Sequence, residues 1–335
     1  MGSAWHAMSE HDTSEITVDV HLDPADWSRH LAEETALGLV DRPPWTPPVW
    51  FYDEVGSRLF DRITRLDEYY PTRAERSILA AHADAIAART GATTLIELGS
   101  GTSDKTTLLL DALRDHGTLE RIVPFDVSEA VLRSAAATLA ETYPDVDVHA
   151  VVGDFHEHLG HIPSHGRRLL AFLGSTIGNL DPDQRREFLR RVRHSLDGDG
   201  WFLLGTDLVK DRTRLVRAYD DDSGVTAAFN LNALHVMNRE LGADFDVDAW
   251  RHRAVFDEEH QRIEMHVVAV TDQTVSFATL DRSLRVEAGG HLRTEISAKF
   301  TEPQVRAELA GAGFAVDASW TDDDGDFLLT LARPA

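Results

Sequence analysis

The sequence predicts an α/β fold built on a parallel β-sheet, with a second part that contains antiparallel strands. Between residues 74 and 208, short apolar strands alternate with helical segments, which is typical of a parallel sheet with right-handed crossovers. From residue 209 this alternation stops, and a helical stretch is followed by short segments of alternating polarity. Near residue 100, a strand, a glycine turn and a helix follow one another directly. In open parallel sheets, ligands bind at such turns.

The N-terminal region precedes the alternating pattern. Residues 1–13 carry no periodic pattern, and we expect them to be a disordered end. Residues 16–39 predict a short strand and an amphipathic helix. Four prolines then stand within the six positions 43–48, which excludes a regular helix and predicts an extended connector.

Aromatic residues are dense between positions 50 and 73. A helix that packs an aromatic face on a core explains part of this pattern. Tyr69 and Tyr70 directly precede Pro71, which disfavours helical backbone at Tyr70. The paired rings are therefore expected beside a chain break, where side chains can reach a cleft.

The central region supplies the sheet. We predict helices over residues 74–88 and 182–196, and strands over residues 94–98, 121–125, 146–152, 168–173 and 201–205. Carboxyl ends of parallel strands share one edge of a sheet, where ligands bind. The residues expected at this edge are Gly99, Asp126, Asp154 and Asn179.

The C-terminal region reads as an insertion followed by the last elements of the sheet. Residues 208–241 are largely helical in pattern, and residues 263–271, 273–280 and 294–300 alternate as antiparallel strands. A helix over residues 302–312 and a hairpin over residues 315–332 close the chain. We therefore assign residues 74–208 and 300–335 to the sheet domain, and residues 14–73 and 209–299 to a second domain.

Composition excludes several classes of protein. The 335 residues include no cysteine, so neither disulfides nor thiolate chemistry is available. The net charge of −24 argues against a nucleic-acid partner, because phosphate backbones bind clustered lysine and arginine. No signal peptide and no apolar run of membrane-spanning length is found, and we expect a cytoplasmic location.

The glycine turn indicates which ligand the sheet holds. A dinucleotide-binding turn would need a third glycine at position 104, which is Asp104, and no phosphate-binding Gly-Lys-Ser/Thr follows. The turn instead suits an adenosine without a pyrophosphate. Asp126 would accept hydrogen bonds from the ribose hydroxyls, Asp154 would bind the adenine amino group, and the ring of Phe155 would lie beside the base. This pattern predicts S-adenosylmethionine, although either aspartate taken alone is as readily a helix cap.

Three further features have competing interpretations. Lys105, in the first helical turn after the glycine loop, is by default a solvated lysine, and otherwise a partner for the carboxylate of the cofactor. His156, His158 and His161 do not share a helix face, so we predict no metal there. The acidic run at residues 322–326 lacks the ligand spacing of a calcium loop and predicts a hairpin turn.

Several motifs together are more specific than the glycine turn. They read WFYD at 50–53, EYYPTR at 68–73, ELGSGT at 97–102, PFD at 124–126, FLGSTIGN at 172–179, LLGTDL at 203–208 and RAYD at 217–220. With these motifs the chain resembles, from about residue 50 to residue 331, the bacterial histidine Nα-methyltransferases of ergothioneine biosynthesis in their actinobacterial form. The resemblance implies a class I S-adenosylmethionine-dependent methyltransferase sheet (Rossmann-like) with a second α+β substrate-binding domain. The implied reaction is three successive methyl transfers to the α-amino nitrogen of L-histidine, through mono- and dimethylated intermediates, giving hercynine.

The resemblance also implies roles for individual residues. The cofactor contacts carried over are Tyr52, Gly99, Lys105, Asp126, Asp154 and Phe155. Tyr69, Asn179 and Tyr219 match residues that hold the amino and carboxylate groups of histidine, and Gly174 would approach it through its backbone. Glu295 and Ser297 match the pair that hydrogen-bonds the imidazole, and Met265 lines its apolar side. A carboxylate and a hydroxyl two residues apart on one strand face can serve both nitrogens of an imidazole.

Two alternatives stay open at this point. The protein could be an N-methyltransferase for another free amino acid, or a non-catalytic S-adenosylmethionine-binding protein. The trio of Met265, Glu295 and Ser297 favours histidine over other amino acids. An amino-acid pocket containing Tyr69, Asn179 and Tyr219 argues against a mere sensor. The resemblance suggests a monomer.

Overall fold

The computed structural model describes residues 16–100, 105–155, 157–196 and 198–335, so the predicted disordered end lies outside the described residues. The helices are α1 (Pro24–Gly38), α2 (Glu54–Ile63), α3 (Pro71–Thr90), α4 (Thr107–Asp115), α5 (Glu129–Thr142), α6 (Pro182–Ser195), α7 (Arg212–Tyr219), α8 (Val225–Glu240) and α9 (Glu302–Gly311). The strands are β1 (Thr17–Val20), β2 (Thr94–Leu98), β3 (Arg121–Asp126), β4 (Asp147–Val152), β5 (Arg168–Phe172), β6 (Trp201–Asp207), β7 (Trp250–Asp257), β8 (Arg262–Ala269), β9 (Gln273–Phe277), β10 (Arg282–Val286), β11 (His291–Ala298), β12 (Phe314–Thr321) and β13 (Phe327–Pro334). No helix in these ranges is long and apolar enough to cross a bilayer.

The central sheet has eight strands in the order β1-β4-β3-β2-β5-β6-β13-β12. Strands β1 to β6 pair in parallel, and β13 joins β6 antiparallel. Successive residues of β2 and β3 enter opposite apolar cores: Leu95 and Ile122 pack with α3, α4 and α5, whereas Ile96 and Val123 pack with α6 and α9. Because both faces are covered, these strands are apolar throughout, as a buried parallel sheet requires. The predicted parallel sheet is present.

The N-terminal strand differs from its predicted placement. The sequence grouped residues 14–73 with the substrate-binding domain, but β1 pairs in parallel with β4, from Thr17 opposite His149 to Val20 opposite Val152. A strand of four residues has no internal signal for its partner. Later in the segment, Leu31 of α1 and Trp50 pack in a third apolar core with α7, α8 and the smaller sheets.

The inserted segment forms two small antiparallel sheets, β11-β8-β7 and β10-β9. Strands β7 and β10 were not predicted, because their polar residues obscure the alternation. The proline-rich connector is also not extended throughout: a 3-10 helix runs over Pro48–Phe51. At residue 300 the chain returns beside its point of departure, where the Phe300 N–H donates to the Asp207 carbonyl and the Val209 N–H donates to the Phe300 carbonyl (2.8 Å each).

Candidate active site

The carboxyl ends of four adjacent parallel strands bring the predicted cofactor residues to one edge of the sheet. Gly99 follows β2, Asp126 ends β3, Asp154 comes two residues after β4, and Gly174 comes two residues after β5. Crossover connections in a parallel sheet return every strand in the same direction. The fold therefore gathers residues that are distant in sequence along one cleft edge.

Gly99 provides the close approach expected of a glycine turn. Its φ of 67° is in the left-handed region, and its N–H donates to the carbonyl of Phe125 (2.9 Å). A Cβ built on Gly99 would have no atom within 4 Å, so open space adjoins the backbone there. Gly101 and Asp104 of the predicted turn lie outside the described residues.

Asp126 and Asp154 occupy the ends of neighbouring strands. Asp126 Oδ1 accepts a hydrogen bond from the Ser128 N–H (2.9 Å), and Ser128, not Asp126, is the N-cap of α5. Asp154 is buried, and its N–H donates to His158 Nδ1 (3.1 Å). These contacts fix the backbone of both turns, and the carboxylates at the strand ends suit the hydroxyl and amino groups of an adenosine.

Phe155 lies edge-on to two rings of the core. Its ring centroid is 5.6 Å from that of Phe172 and 5.5 Å from that of Phe188. Edge-to-face contacts at this spacing hold an aromatic ring in a defined orientation. Phe155 thus presents a held, partly exposed ring directly after Asp154, as a stacking partner for a base requires.

Lys105 is not the solvated lysine of its default interpretation, because its ammonium has a buried partner. It lies in a turn two residues before α4 rather than within the helix, and it forms an ion pair with Glu75 of α3, which is fully buried. The same carboxylate accepts the Gly174 N–H (2.8 and 3.0 Å). Lys105 Nζ is also 3.6 Å from the position a Cβ would take on Gly174. Glu75 therefore contacts both Lys105, which is predicted to bind the cofactor, and the loop at Gly174, which is predicted to approach the substrate.

A row of aromatic rings crosses from the connector to α7. Tyr52 contacts Phe60 at 5.8 Å between centroids, Phe60 contacts Tyr69 at 6.3 Å, and Tyr69 contacts Tyr219 at 6.1 Å. Burial raises the pKa of Tyr69 well above its ordinary value, and the charges of Glu295, Asp207 and Glu75 act in the same direction. The phenol stays protonated and can donate a hydrogen bond.

The neighbouring Tyr70 serves a different purpose from the predicted cleft position. Its hydroxyl donates to the carboxylate of Asp207 at the end of β6 (2.8 Å), and its side chain is buried. Of the two adjacent tyrosines, Tyr69 therefore lies in the candidate site, whereas Tyr70 donates a hydrogen bond to the buried Asp207 carboxylate beneath it.

A β-bulge at Thr294 decides which way Glu295 points. Arg293 pairs with His266 of β8, but Glu295 pairs with Met265, so the pairing register shifts between them. Neighbouring positions of β8 face opposite sides, and Glu295 therefore lies on the opposite face from Arg293 despite their spacing of two. The bulge is anchored by the Thr294 hydroxyl, which donates to Asn230 Oδ1 (2.6 Å). It places Glu295 on the same face as Met265, as the predicted imidazole pocket needs.

Asn179 connects this pocket to the central sheet. It ends the 3-10 helix Thr176–Asn179 after β5, and its amide Nδ2 donates to Glu295 Oε1 (3.3 Å). Burial raises the pKa of Glu295 to about 7, against the opposing effects of the Lys299 charge and this hydrogen bond. Glu295 is thus a carboxyl group whose charge changes near neutral pH.

Ser297 and Tyr219 meet at the far end of the pocket. Their hydroxyl oxygens are 2.9 Å apart, and both side chains are buried. Tyr219 is the last residue of α7, and its carbonyl accepts a hydrogen bond from His252 Nε2 (2.8 Å). Strand β11 and helix α7 therefore hold the two hydroxyls in contact.

Sequence reasoning missed the charged pair below these hydroxyls. Lys299 Nζ is 2.8 Å from Asp207 Oδ2, and both side chains are buried. Burial alone would raise the pKa of Asp207, but the ammonium groups of Lys299 and Lys210 outweigh it and hold the pKa below its ordinary value. The alternation of Glu295, Ser297 and Lys299 was the available signal, because it places three polar groups on one face of a strand and its extension.

The described residues contain one cluster of acidic side chains spaced closely enough to bind a metal, formed by Asp322, Asp324 and Asp326. It lies in the turn between β12 and β13, where Asp326 pairs with Arg214 and Asp322 accepts the Asp326 N–H (2.8 Å). These contacts are those of the predicted hairpin turn. Of the histidine cluster, His156 lies outside the described residues, and the rings of His158 and His161 are 5.9 Å apart between centroids.

Comparison with known proteins shows which proteins this chain resembles. Residues 31–334 match the family model described as "Histidine-specific methyltransferase, SAM-dependent". The histidine N-alpha-methyltransferase of Mycolicibacterium smegmatis is 55% identical over 302 residues, covering 90% of this chain and 94% of that protein. That of Mycobacterium tuberculosis is 52% identical, covering 95% and 99%. Ergothioneine biosynthesis protein 1 of Neurospora crassa is 31% identical over 88% of this chain, but only 34% of that longer protein is covered.

Proposed function

The chain belongs to the family of histidine-specific, S-adenosylmethionine-dependent methyltransferases, and we propose that it trimethylates the α-amino group of L-histidine to give hercynine, the first step of ergothioneine biosynthesis. Its sheet is the class I methyltransferase sheet expected from the sequence. The observation that carries the choice of acceptor is the pocket in which Glu295 and Ser297 share a face with Met265, beside Asn179 and Tyr219.

The edge of the central sheet fits the methyl donor. When bound, S-adenosylmethionine supplies a methyl group on a sulfonium sulfur. Gly99 leaves open space against its backbone, and Asp126 and Asp154 offer carboxylates at adjacent strand ends. We assign Asp126 to the ribose, Asp154 and Phe155 to the adenine, and Lys105 to the carboxylate end, with Tyr52 close by.

The second part of the chain would hold the acceptor. We assign Tyr69, Asn179 and Tyr219 to the amino and carboxylate groups of histidine, and the backbone of Gly174 to the same end. The imidazole would lie between Glu295 and Ser297, against Met265. In each of three rounds, the substrate ammonium would lose a proton to solvent. The neutral amine would then form the N–CH₃ bond as the C–S bond of the donor breaks and S-adenosylhomocysteine leaves with its electron pair. Alignment and exclusion of water supply most of the rate enhancement in such a displacement.

The product carries a fixed positive charge, which the aromatic row can accommodate. The faces of Tyr69 and Tyr219 offer cation–π contact to a trimethylammonium group without an added negative charge. A carboxylate beside the amine would instead hold the substrate in its ammonium form. We further propose a monomeric protein in the cytoplasm.

The decisive experiment is incubation of the protein with L-histidine and S-adenosylmethionine, followed by mass spectrometry. We expect hercynine, with a gain of three methyl groups on the α-nitrogen. Parallel incubations with other free amino acids test the alternative acceptors. Methylation of another amino acid in preference to histidine, or binding of the cofactor with no methylation at all, would refute the proposal.

The ribose assignment gives a second prediction. Asp126→Ala should weaken binding of S-adenosylhomocysteine by about 10-fold or more, since charge-assisted hydrogen bonds contribute about 1.5–3 kcal/mol. Asp126→Asn is the matched control, because its side-chain oxygen can still accept the Ser128 N–H that holds the turn. Calorimetric titration measures both variants. Equal cofactor affinity in Asp126→Ala and the parent would exclude this role.

A further inference from the structure

Lys299 carries a buried charge beside the acceptor pocket. Its ammonium contacts Asp207 Oδ2 at 2.8 Å, Tyr219 Oη at 2.9 Å and Ser297 Oγ at 2.9 Å. Lysine has three N–H donors and no acceptor. Each of its three protons is therefore directed at a different oxygen, and two of these oxygens are the hydroxyls that the proposed function places in the pocket.

This arrangement limits the remaining hydrogen bonds, although either hydroxyl can be the donor in the bond between them. Because Lys299 donates to both hydroxyls, the oxygens of Tyr219 and Ser297 each act as acceptors. Between the two hydroxyls, 2.9 Å apart, one proton forms their mutual hydrogen bond. Of the two hydroxyl protons, one is then left to be donated to a ligand.

We propose that Lys299 is a positioning residue that makes Ser297 a hydrogen-bond donor, so that the pocket selects the neutral imidazole ring. Tyr219 donates to Ser297, Ser297 donates to the bare ring nitrogen, and Glu295 accepts the ring N–H. This inference rests on the proposed function and adds to it the protonation state of the acceptor ring.

The charges around Lys299 agree with this direction. Facing it are the carboxylate of Asp207 from β6, the ammonium of Lys210, the phenol of Tyr219 from α7 and the carboxyl of Glu295 from β11. An imidazolium would direct a second N–H at Ser297, whose oxygen already accepts from a cation. A neutral ring instead presents its bare nitrogen to the Ser297 hydroxyl, and it brings no positive charge close to the Lys299 ammonium.

The unmodified protein allows a direct test by proton counting. Hercynine has a quaternary nitrogen, so its imidazole is its titrating group near neutral pH. At pH 8, calorimetry of hercynine binding in two buffers of different ionisation enthalpy, with S-adenosylhomocysteine present, gives the protons taken up. We expect an uptake below about 0.3 proton, because free imidazole and Glu295 are both largely deprotonated at that pH. An uptake near one proton would mean that either the ring or Glu295 is protonated in the complex, and would overturn the proposal.

A variant pair gives the second test. Lys210 also donates to Asp207, and its ammonium otherwise donates to the Tyr70 hydroxyl and the Leu208 carbonyl, so Lys210→Met is the matched control for Lys299→Met. The probes are L-histidine and the two pyrrolylalanine isomers, each of which keeps a ring N–H and lacks the second nitrogen. The parent should prefer histidine by about 100-fold, since a pyrrole leaves the Ser297 donor unpaired.

We expect Lys299→Met to reduce this preference by about 10-fold or more, and Lys210→Met to leave it within about 2-fold. An unchanged preference in Lys299→Met, or an equal fall in both variants, would overturn the proposal. Should Lys299→Met not fold, the proton count on the unmodified protein still decides. Failure of the proposed function is distinguishable, because the parent would then neither methylate histidine nor prefer it.

Discussion

Replacing Glu295 with alanine should weaken L-histidine binding by about 100-fold or more, while S-adenosylhomocysteine binding changes by less than about 3-fold. The variant removes the proposed acceptor of the ring N–H and the carboxylate to which the Asn179 amide donates. Calorimetric titration of each ligand separately provides the measurement. The bulge at Thr294 places Glu295 on the face that carries Met265, and no other carboxylate of β8 or β11 lies on that face. No neighbouring group can therefore replace Glu295, and the effect should be large.

Two comparisons make the Glu295 result specific. Glu295→Gln keeps the shape and should recover part of the affinity, because an amide oxygen still accepts a hydrogen bond. The raised pKa of Glu295, about 7, also predicts that affinity of the parent for hercynine falls as pH drops from 8 to 6, as the carboxyl becomes protonated. The Glu295→Ala variant should lose the part of this dependence that belongs to the carboxyl. Unchanged histidine affinity in Glu295→Ala would disprove the imidazole assignment.

Replacing Asp207 with alanine should lower the free energy of unfolding by about 3–5 kcal/mol, the usual cost of removing one partner from a buried ion pair. The carboxylate is buried beneath the site, where it accepts hydrogen bonds from Lys299, Lys210 and Tyr70. Its removal leaves two ammonium groups facing each other away from bulk water. Denaturant unfolding of the full chain measures the change.

The control for Asp207 is an exposed ion pair of the same kind. Asp183 pairs with Arg186 on the surface of α6, and Asp183→Ala should change the unfolding free energy by less than about 1 kcal/mol. The pKa of Asp207 is held below its ordinary value, so its stabilising contribution is present above the unfolded pKa and is lost as pH falls through the folded one. A loss below about 1 kcal/mol in Asp207→Ala would show that the buried cluster does not stabilise the fold.

The sequence predicted those parts of the site whose signal is local. Gly99, Asp126 and Asp154 each lie at the end of an apolar strand or within two residues of it, and the position of a strand end needs no knowledge of distant contacts. Glu75 could not be found in this way, because within α3 it reads as an ordinary surface residue of a helix. Its partner Gly174 is 99 positions away, and only the folded sheet brings the two together.

The second part of the chain shows the same limit. The shared face of Glu295 and Ser297 was predictable from a spacing of two, but the bulge that turns this face toward Met265 was not. Strand β1 was predicted as a strand, yet its partner β4 depends on a register that four residues do not encode. Contacts that join distant segments thus account for most of what the sequence left open.

Glu75 has a consequence for how the two ligands influence each other. One carboxylate binds both Lys105, which we assign to the methyl donor, and the backbone of Gly174, which we assign to the acceptor. A ligand that draws Lys105 away changes the charge that Gly174 faces. The two affinities should therefore be reciprocally linked: the factor by which S-adenosylhomocysteine alters histidine affinity must equal the factor by which histidine alters that of S-adenosylhomocysteine. In a reaction that renews its donor three times, such linkage governs whether the partly methylated acceptor stays bound between rounds.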